Sequence, residues 1–275
     1  MDGVRAALQG GPLLIAHRGG AGLAPENTML AFQRAVEDWA PDMIEMDVRA
    51  TSDGHCVVIH DHTVDRTTNG TGKVADFTLA DIQQLDAGYN FTGDGGRTFP
   101  FRGKGVRIPT IDEVLTKLPP VRLTVEVKTH AAQRGLFAAI AEASAADRVI
   151  AAGMHDRDRN MFPQYRGAKS ASAEQAKRFY MMHRLHLDRL HRLHADVVQI
   201  PERWGGRQVV TAALARALRR ISVPLHVWTV NDPMDMNRLL DFGVDGLISD
   251  RPDIASRVLQ DRVGRAPAPI ERGRH

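Results

Sequence analysis

Residues 13–50 read LLIAHRGGAGLAPENTMLAFQRAVEDWAPDMIEMDVRA, and this stretch decides the fold. It opens on a short apolar run at 13–16. Met29, Leu30, Phe32, Ala35, Val36 and Trp39 then recur at helical spacing within 27–39, and a second apolar run follows at 43–48. A strand, a helix and a second strand in that order predict a parallel βα unit. The same alternation continues along the chain, with candidate strands at 57–59, 123–127, 149–152, 168–170, 197–200, 225–229 and 246–248. Nine candidates exceed a closed eight-stranded barrel by one. The 57–59 run, which follows the turn Ser52-Asp53-Gly54, is expected to be a hairpin-like continuation of its predecessor. The fold class is therefore α/β, a TIM (β/α)8 barrel.

Helix boundaries carry their own signals. Thr110 with Glu113 forms a capping pattern, and Asp232-Pro233 opens a helix that Gly243 stops. Two segments break the rhythm. Residues 62–109 are rich in Gly, Thr and Asp, with a helix-like piece at 79–85, and predict an inserted cap over one end of the barrel. Residues 171–195 hold a stretch dense in arginine and histidine, for which a helix over 180–194 is expected. We expect one catalytic domain over 1–263 with its insertion at about 62–109, and a disordered tail at 264–275.

The chain has 275 residues, 43% hydrophobic and 25% charged, enough for a large core without disulfides. Its one cysteine, Cys56, cannot pair within the chain. With no apolar run near the start long enough for a signal core or a span, the expected location is cytoplasmic. A net charge of +3 and 5% aromatics exclude a polybasic stacking surface, so no nucleic-acid partner is expected.

Four strings place ionisable groups at candidate strand ends, where a parallel barrel builds its site: His17-Arg18, Glu45-Met46-Asp47, His60-Asp61 and Glu126-Val127-Lys128. Glu45 and Asp47, two apart, project from one face, into the barrel if Met46 faces the helices. Glu126 adds a third carboxylate. A buried ion-pair network with Arg18 and Lys128 is the plain reading of such a cluster. The functional reading is one hard divalent cation, Mg²⁺ or Ca²⁺, held by Glu45, Asp47 and Glu126. Two histidines beside it, His17 and His60, supply acid/base chemistry, and either can be the acid. A cation, two basic side chains and an acid/base pair match the needs of a phosphodiester.

His17-Arg18-Gly19 with Ala24-Pro25-Glu26-Asn27-Thr28, Glu45-Met46-Asp47, His60-Asp61 with Arg66-Thr67-Thr68, and Val125-Glu126-Val127-Lys128 follow one another at family spacing. With Val227-Trp228-Thr229-Val230-Asn231 and Asp245-Gly246-Leu247-Ile248-Ser249-Asp250, they resemble the glycerophosphodiester phosphodiesterase family over about 13–254. The resemblance implies a TIM barrel with an insertion after His60-Asp61, metal ligation by Glu45, Asp47 and Glu126, and catalysis by His17 and His60. It also implies phosphate binding by Arg18 and Lys128, with Trp228 lining the substrate pocket. The implied reaction frees glycerol 3-phosphate and an alcohol through a cyclic phosphate.

Ala152-Gly153-Met154-His155-Asp156 departs from the family's serine-rich strand end, and Gln199-Ile200-Pro201-Glu202 looks more like its lysophospholipid-acting branch. Rival expectations are thus a lysophospholipase D and a catalytically silent binding protein on the same barrel. The basic helix expected at 180–194 is a solvated barrel helix or, more sharply, a lid for an acyl chain or anionic membrane. His183 and His186 lack a third ligand and are assigned no metal. The Gly19–Gly22 cluster is read as a tight strand exit rather than a phosphate cradle. Head-group preference and oligomeric state are not encoded in any recognisable motif.

Overall fold

The computed structural model describes residues 7–118, 120–190 and 192–266. Among these, eight parallel strands form a barrel. They are β1 (Leu13–Ala16), β2 (Met43–Ala50), β4 (Arg122–Val127), β5 (Val149–Ala152), β6 (Ala168–Lys169), β7 (Val198–Pro201), β10 (Leu225–Trp228) and β11 (Gly246–Ser249). Their order is β6-β5-β4-β2-β1-β11-β10-β7, and a parallel bridge between Ser170 and Val197 closes the ring. The closing seam is short: Ala171 N donates to Val197 O at 2.8 Å and Asp196 N to Lys169 O at 2.8 Å. By contrast, β2 and β4 pair over six positions, from Met43 with Arg122 to Val48 with Val127.

β3 (Cys56–Val58) is the ninth candidate, and it pairs antiparallel with β2. It therefore returns along β2 rather than adding a barrel strand, as the turn at Ser52-Asp53-Gly54 predicts. Ile59 N donates to Asp47 O at 2.9 Å, which brings His60 back to the level of Asp47.

Period-two alternation divides each strand between two cores. Leu13, Ile15, Met43, Ile150, Ala168, Val197 and Ile248 pack inside the barrel, with Ala7 among them. Outward residues Ala16, Ile44, Met46, Val125 and Val127 meet Phe32 and Ala35 of helix α1 (Met29–Trp39). Met46 thus faces a helix, and its neighbours Glu45 and Asp47 face inward. Thr28 caps α1 by accepting from Ala31 N at 3.2 Å, and burial of a side chain such as Phe32 is worth about 1.5–3 kcal/mol.

The 62–109 excursion holds a 3-10 turn (Val74–Asp76) and helix α2 (Leu79–Ile82), around a small apolar cluster that includes Ile59, Val64, Ile82 and Ile108. α3 (Ile111–Lys117) begins with the expected reciprocal Thr110–Glu113 capping box. α4 (Ala132–Glu142) follows β4.

One expectation is corrected. No helix spans 180–194; α5 runs Ala173–Arg184, set by a capping box between Ser172 and Gln175. Past Arg184 the chain turns with His186 at φ 58, and a 3-10 turn follows at Asp188–Leu190. Leu185 and Leu190, which in a helix over 180–194 would belong to an apolar stripe, are 62% and 81% exposed. With no buried surface on which to lay that stripe, residues 185–190 have nothing to stabilise another helical turn.

A short hairpin, β8 (Arg203–Trp204) and β9 (Arg207–Gln208), follows β7 and precedes α6 (Ala212–Arg220). α7 (Pro233–Phe242) has the Asp232 cap and stops at left-handed Gly243; α8 (Pro252–Val263) is the last helix among the described residues. Positions 267–275 of the tail expected to be disordered lie outside the described residues. No helix among the described residues is long and apolar enough to cross a membrane.

Within the barrel, Gln199 Nε2 lies 3.2 Å from Thr124 Oγ1 and 3.3 Å from His226 Nδ1. Burial, with Arg122 nearby, pushes the His226 imidazole down to about 3. The unfolded chain, with an imidazole near 6.5, then binds the extra proton between pH 6.5 and 3, so this contribution to stability is full above 6.5 and falls with acidification. Chemical denaturation at pH 7.5 and 5.5 is expected to show His226 alone costing about 1.4 kcal/mol at the lower pH. A His226→Asn variant losing as much stability as wild type over that interval contradicts it.

Candidate active site

All eight side chains singled out in the sequence line one cavity of about 350 Å³ at the C-terminal ends of the strands. Glu45, Asp47 and Glu126 each place a carboxylate oxygen within 4.8 Å of the others. The backbone explains the convergence. Asp47 and Glu126 are register partners on β2 and β4, and Glu45 lies two residues before Asp47 on the same inward face.

Left uncompensated, three carboxylates in a buried space repel one another. Burial and then Asp47 push the Glu45 carboxyl up to about 7. Asp47 shows the opposite result: burial would raise it, but Lys128 and Arg18 outweigh burial and hold it below the usual carboxylate range. Lys128 Nζ sits 3.0 Å from Asp47 Oδ1 and 2.9 Å from Glu126 Oε2. Arg18 Nε lies 3.1 Å from Asp47 Oδ2, out of line for a hydrogen bond, and Arg18 N donates to Glu45 Oε2 at 3.0 Å. Burial would lower the Lys128 ammonium, but the facing carboxylates raise it, so it stays charged.

The ion-pair network is thus real, yet it leaves Glu126 Oε1 buried without a hydrogen-bond partner among the described residues. An orphaned carboxylate oxygen beside a carboxyl driven toward its neutral form marks a donor set with coordination to offer a hard cation. The donors fit one hard divalent cation.

Each histidine is oriented by a carboxylate. His17 Nδ1 is 2.6 Å from Asp250 Oδ1, and its Nε2 is 3.8 Å from Glu45 Oε2. Burial would lower the His17 imidazole, but Glu45 and Asp250 raise it above its ordinary value. Asn231 Nδ2 donates to Asp250 Oδ2 at 2.9 Å and so fixes that carboxylate. His60 Nδ1 is 2.6 Å from Asp61 Oδ1.

The turn that carries His17 and Arg18 is tightly wound. Arg18 has φ 50 and Gly19 φ 82, where a Cβ would meet Phe32 Cδ1 at 2.7 Å. Left-handed backbone and the close helix account for the glycine, as the strand-exit reading expected.

Several residues given no separate role at the sequence level complete the site. Asn27, at φ 57, binds Asp47 twice: Nδ2 donates to Oδ2 at 3.0 Å, and Asp47 N donates to Oδ1 at 3.2 Å. Glu26 accepts from Arg18 Nη1 at 2.8 Å and from Arg66 Nη1 at 2.7 Å, and Arg66 Nε donates to Asp61 Oδ2 at 2.6 Å. Arg66 of the excursion therefore ties the Arg18 side of the cavity to the His60 side. Asn27 and Glu26 in the helix-entry string, and Arg66 in its threonine string, were legible as motif; their partners needed the fold.

The far wall is less polar. Met154, Ala171, Ala173 and Ala176 line it with Ile200, Trp204 and Trp228. Ala176, Ile200 and Trp204 also line an adjoining apolar slot of about 40 Å³ reaching Phe179, Leu214 and Leu218. His183 is in the last turn of α5 and His186 lies just past its end, and the groups that could hold a metal among the described residues do not include them.

A family model described as the glycerophosphoryl diester phosphodiesterase family matches residues 17–254. A Caldanaerobacter subterraneus glycerophosphodiester phosphodiesterase is 38% identical over 88% of this chain and 95% of its own length. A glycerophosphodiester phosphodiesterase of Bacillus subtilis is 31% identical over 90% and 86%. Among solved structures, the glycerophosphoryl diester phosphodiesterase domain of a Mycobacterium tuberculosis protein superposes with TM-score 0.78 at 21% identity, covering 90% of this chain and 99% of that one. An Oleispira antarctica phosphodiesterase in complex with the product sn-glycerol-3-phosphate superposes with TM-score 0.70 at 23% identity, covering 91% and 97%.

Added Mg²⁺ or Ca²⁺ is expected to raise the melting temperature of the wild-type chain, with a stabilisation of about 2.7 kcal/mol at a hundredfold excess over Kd. Glu126→Gln is expected to lose most of that increment. A thermal-shift titration in which neither ion stabilises wild type removes the cation site.

Proposed function

The chain belongs to the glycerophosphoryl diester phosphodiesterase family, and from that premise we propose that it hydrolyses glycerophosphodiesters to glycerol 3-phosphate and an alcohol, with one divalent cation and two histidines. The observation that carries this reading is the convergence of Glu45, Asp47 and Glu126 in one cavity with His17, His60, Arg18 and Lys128. We treat residues 1–263 as one catalytic domain in which 62–109 is an insertion.

Glu45, Asp47 and Glu126 would hold Mg²⁺ or Ca²⁺, and the bound ion supplies charge stabilisation to the non-bridging phosphate oxygens. Arg18 and Lys128 hold the phosphate beside that site. Their positive charge matters most as negative charge builds on phosphorus-bound oxygen, because the cavity wall limits screening by water.

The glycerol hydroxyl next to the phosphate attacks phosphorus, and His60 takes its proton. His17 gives a proton to the departing alcohol oxygen as the phosphorus–oxygen bond breaks. Water then opens the cyclic phosphate by the reverse transfers, with His17 taking a proton from water and His60 returning one to the glycerol oxygen. In support of this assignment, Asp250 at 2.6 Å and Glu45 at 3.8 Å both favour a proton on His17. Asp61, held by Arg66, keeps His60 in a fixed orientation. Trp228 shapes the substrate end of the cavity.

A second reading is favoured by the apolar slot beside Ala176, Ile200 and Trp204: a lysophospholipid whose chain enters it, so that the enzyme acts as a lysophospholipase D. Competition between a lysophospholipid and glycerophosphocholine separates the two. A catalytically silent barrel is disfavoured by the complete set of ionisable groups in one cavity.

Product analysis on a small panel of glycerophosphodiesters should show glycerol 3-phosphate, lost with chelator and restored by Mg²⁺ or Ca²⁺. His17→Ala and His60→Ala are each expected to lower kcat by about 10²-fold or more, with melting temperatures near wild type. A panel yielding no glycerol 3-phosphate in the presence of either ion sinks the proposed activity, and full activity of either alanine variant sinks the two-histidine mechanism.

A further inference from the structure

Among the described residues, every cationic or imidazole side chain that lines the cavity is engaged by a carboxylate, with one exception. His17 meets Asp250, Arg18 meets Glu26 and Asp47, His60 meets Asp61, and Lys128 meets Asp47 and Glu126. Arg203, at the start of the β8–β9 hairpin, lines the same cavity, and among the described residues its guanidinium hydrogen-bonds only to the Gly206 carbonyl, at 3.5 Å. The adjacent acid does not serve it: Glu202 accepts from Arg238 Nη1 at 2.6 Å. The carboxylates lining the cavity are Glu45, Asp47 and Glu126, all in the cluster at its opposite wall.

A diester whose phosphate is anchored by Arg18 and Lys128, on the β1–β2–β4 side, can extend one arm across the mouth toward β7 and the hairpin. That arm meets a guanidinium that has no carboxylate partner among the described residues. We propose that Arg203 reads the alcohol half of the diester and selects head groups that carry a carboxylate or another anionic group over purely cationic ones. This rests on the phosphodiesterase activity proposed above.

Chemistry supports an anion at this place. A guanidinium presents a planar fork of donors that matches a carboxylate, and it repels an ammonium brought beneath it. Trp204 and Trp228 line the same wall and would attract an ammonium by their ring faces. Serine and ethanolamine head groups both carry that ammonium and differ by one carboxylate, so comparing them isolates the contribution of Arg203. Because Arg203 is exposed, the effect lies within the range of a solvent-accessible ion pair.

The test is kcat/KM for glycerophosphoserine and glycerophosphoethanolamine, with the metal added, for wild type, Arg203→Gln and Arg203→Glu. Wild type is expected to favour the serine diester by about fivefold, falling to about one in Arg203→Gln and inverting in Arg203→Glu. Raising salt is expected to shrink the wild-type ratio. An unchanged ratio in Arg203→Gln overturns the proposal. So does an equal loss on both diesters, which would place Arg203 on the glycerol half. If wild type hydrolyses neither these two nor any other glycerophosphodiester of the panel, the phosphodiesterase reading itself fails, an outcome distinct from any ratio; activity on other diesters with none on the serine diester overturns the Arg203 proposal.

Discussion

Mutual repulsion among three inward carboxylates is the constraint around which this molecule is arranged. Glu45, Asp47 and Glu126 are brought together by strand register, so the barrel itself creates the electrostatic problem. Lys128 and Arg18 answer it in part, by direct contact with Asp47. What they leave, an unpartnered Glu126 oxygen and a Glu45 carboxyl pushed up to about 7, is the opening for a dication. The neighbouring structure follows from holding this arrangement in place. Arg18 occupies left-handed backbone to aim its amide at Glu45, Gly19 makes room for Phe32, and Asn27 clamps Asp47 from both of its amide atoms.

The second theme is that orientation is delegated to residues away from the cavity centre. Asn231 fixes Asp250, which fixes His17; Arg66 fixes Asp61, which fixes His60. A histidine held through one ring nitrogen presents the other in a set direction, which acid/base transfer needs more than it needs any particular affinity for protons. Arg66 belongs to the long excursion, so that segment takes part in assembling the site by its contacts with Glu26 and Asp61, although the residues lining the cavity include none from 62–109.

Much of this was legible in the chain itself, for reasons of periodicity. The alternation of apolar runs and helical stretches located every barrel strand, and the i, i+2 spacing of Glu45 and Asp47 put both on the inner face once Met46 was assigned to the helices. The turn at Ser52-Asp53-Gly54 separated β3 from the barrel count. The failures have equally physical causes. Leucines and arginines from 185 to 193 mimic an amphipathic helix, but the real one is set by the Ser172–Gln175 capping box and stops at Arg184. Local pattern cannot tell an apolar stripe that will be buried from one left exposed. The partners of Glu26, Asn27 and Arg66 were also out of reach, since each contact joins segments whose proximity exists only after folding.

The ring of strands is not uniform. Between β2 and β4 the pairing runs over six positions, whereas β6 and β7 meet at one bridge flanked by two backbone hydrogen bonds. Where few bonds must break together, thermal fluctuation opens a sheet most cheaply. The β2–β4 seam, which carries Glu45, Asp47 and Glu126, is therefore the most extensively paired part of the wall, and the shortest joint lies just ahead of the hairpin bearing Arg203. A long acidic seam opposite a lightly paired rim would let the entrance breathe around substrates of different bulk while the spacing among the three carboxylates stays the same.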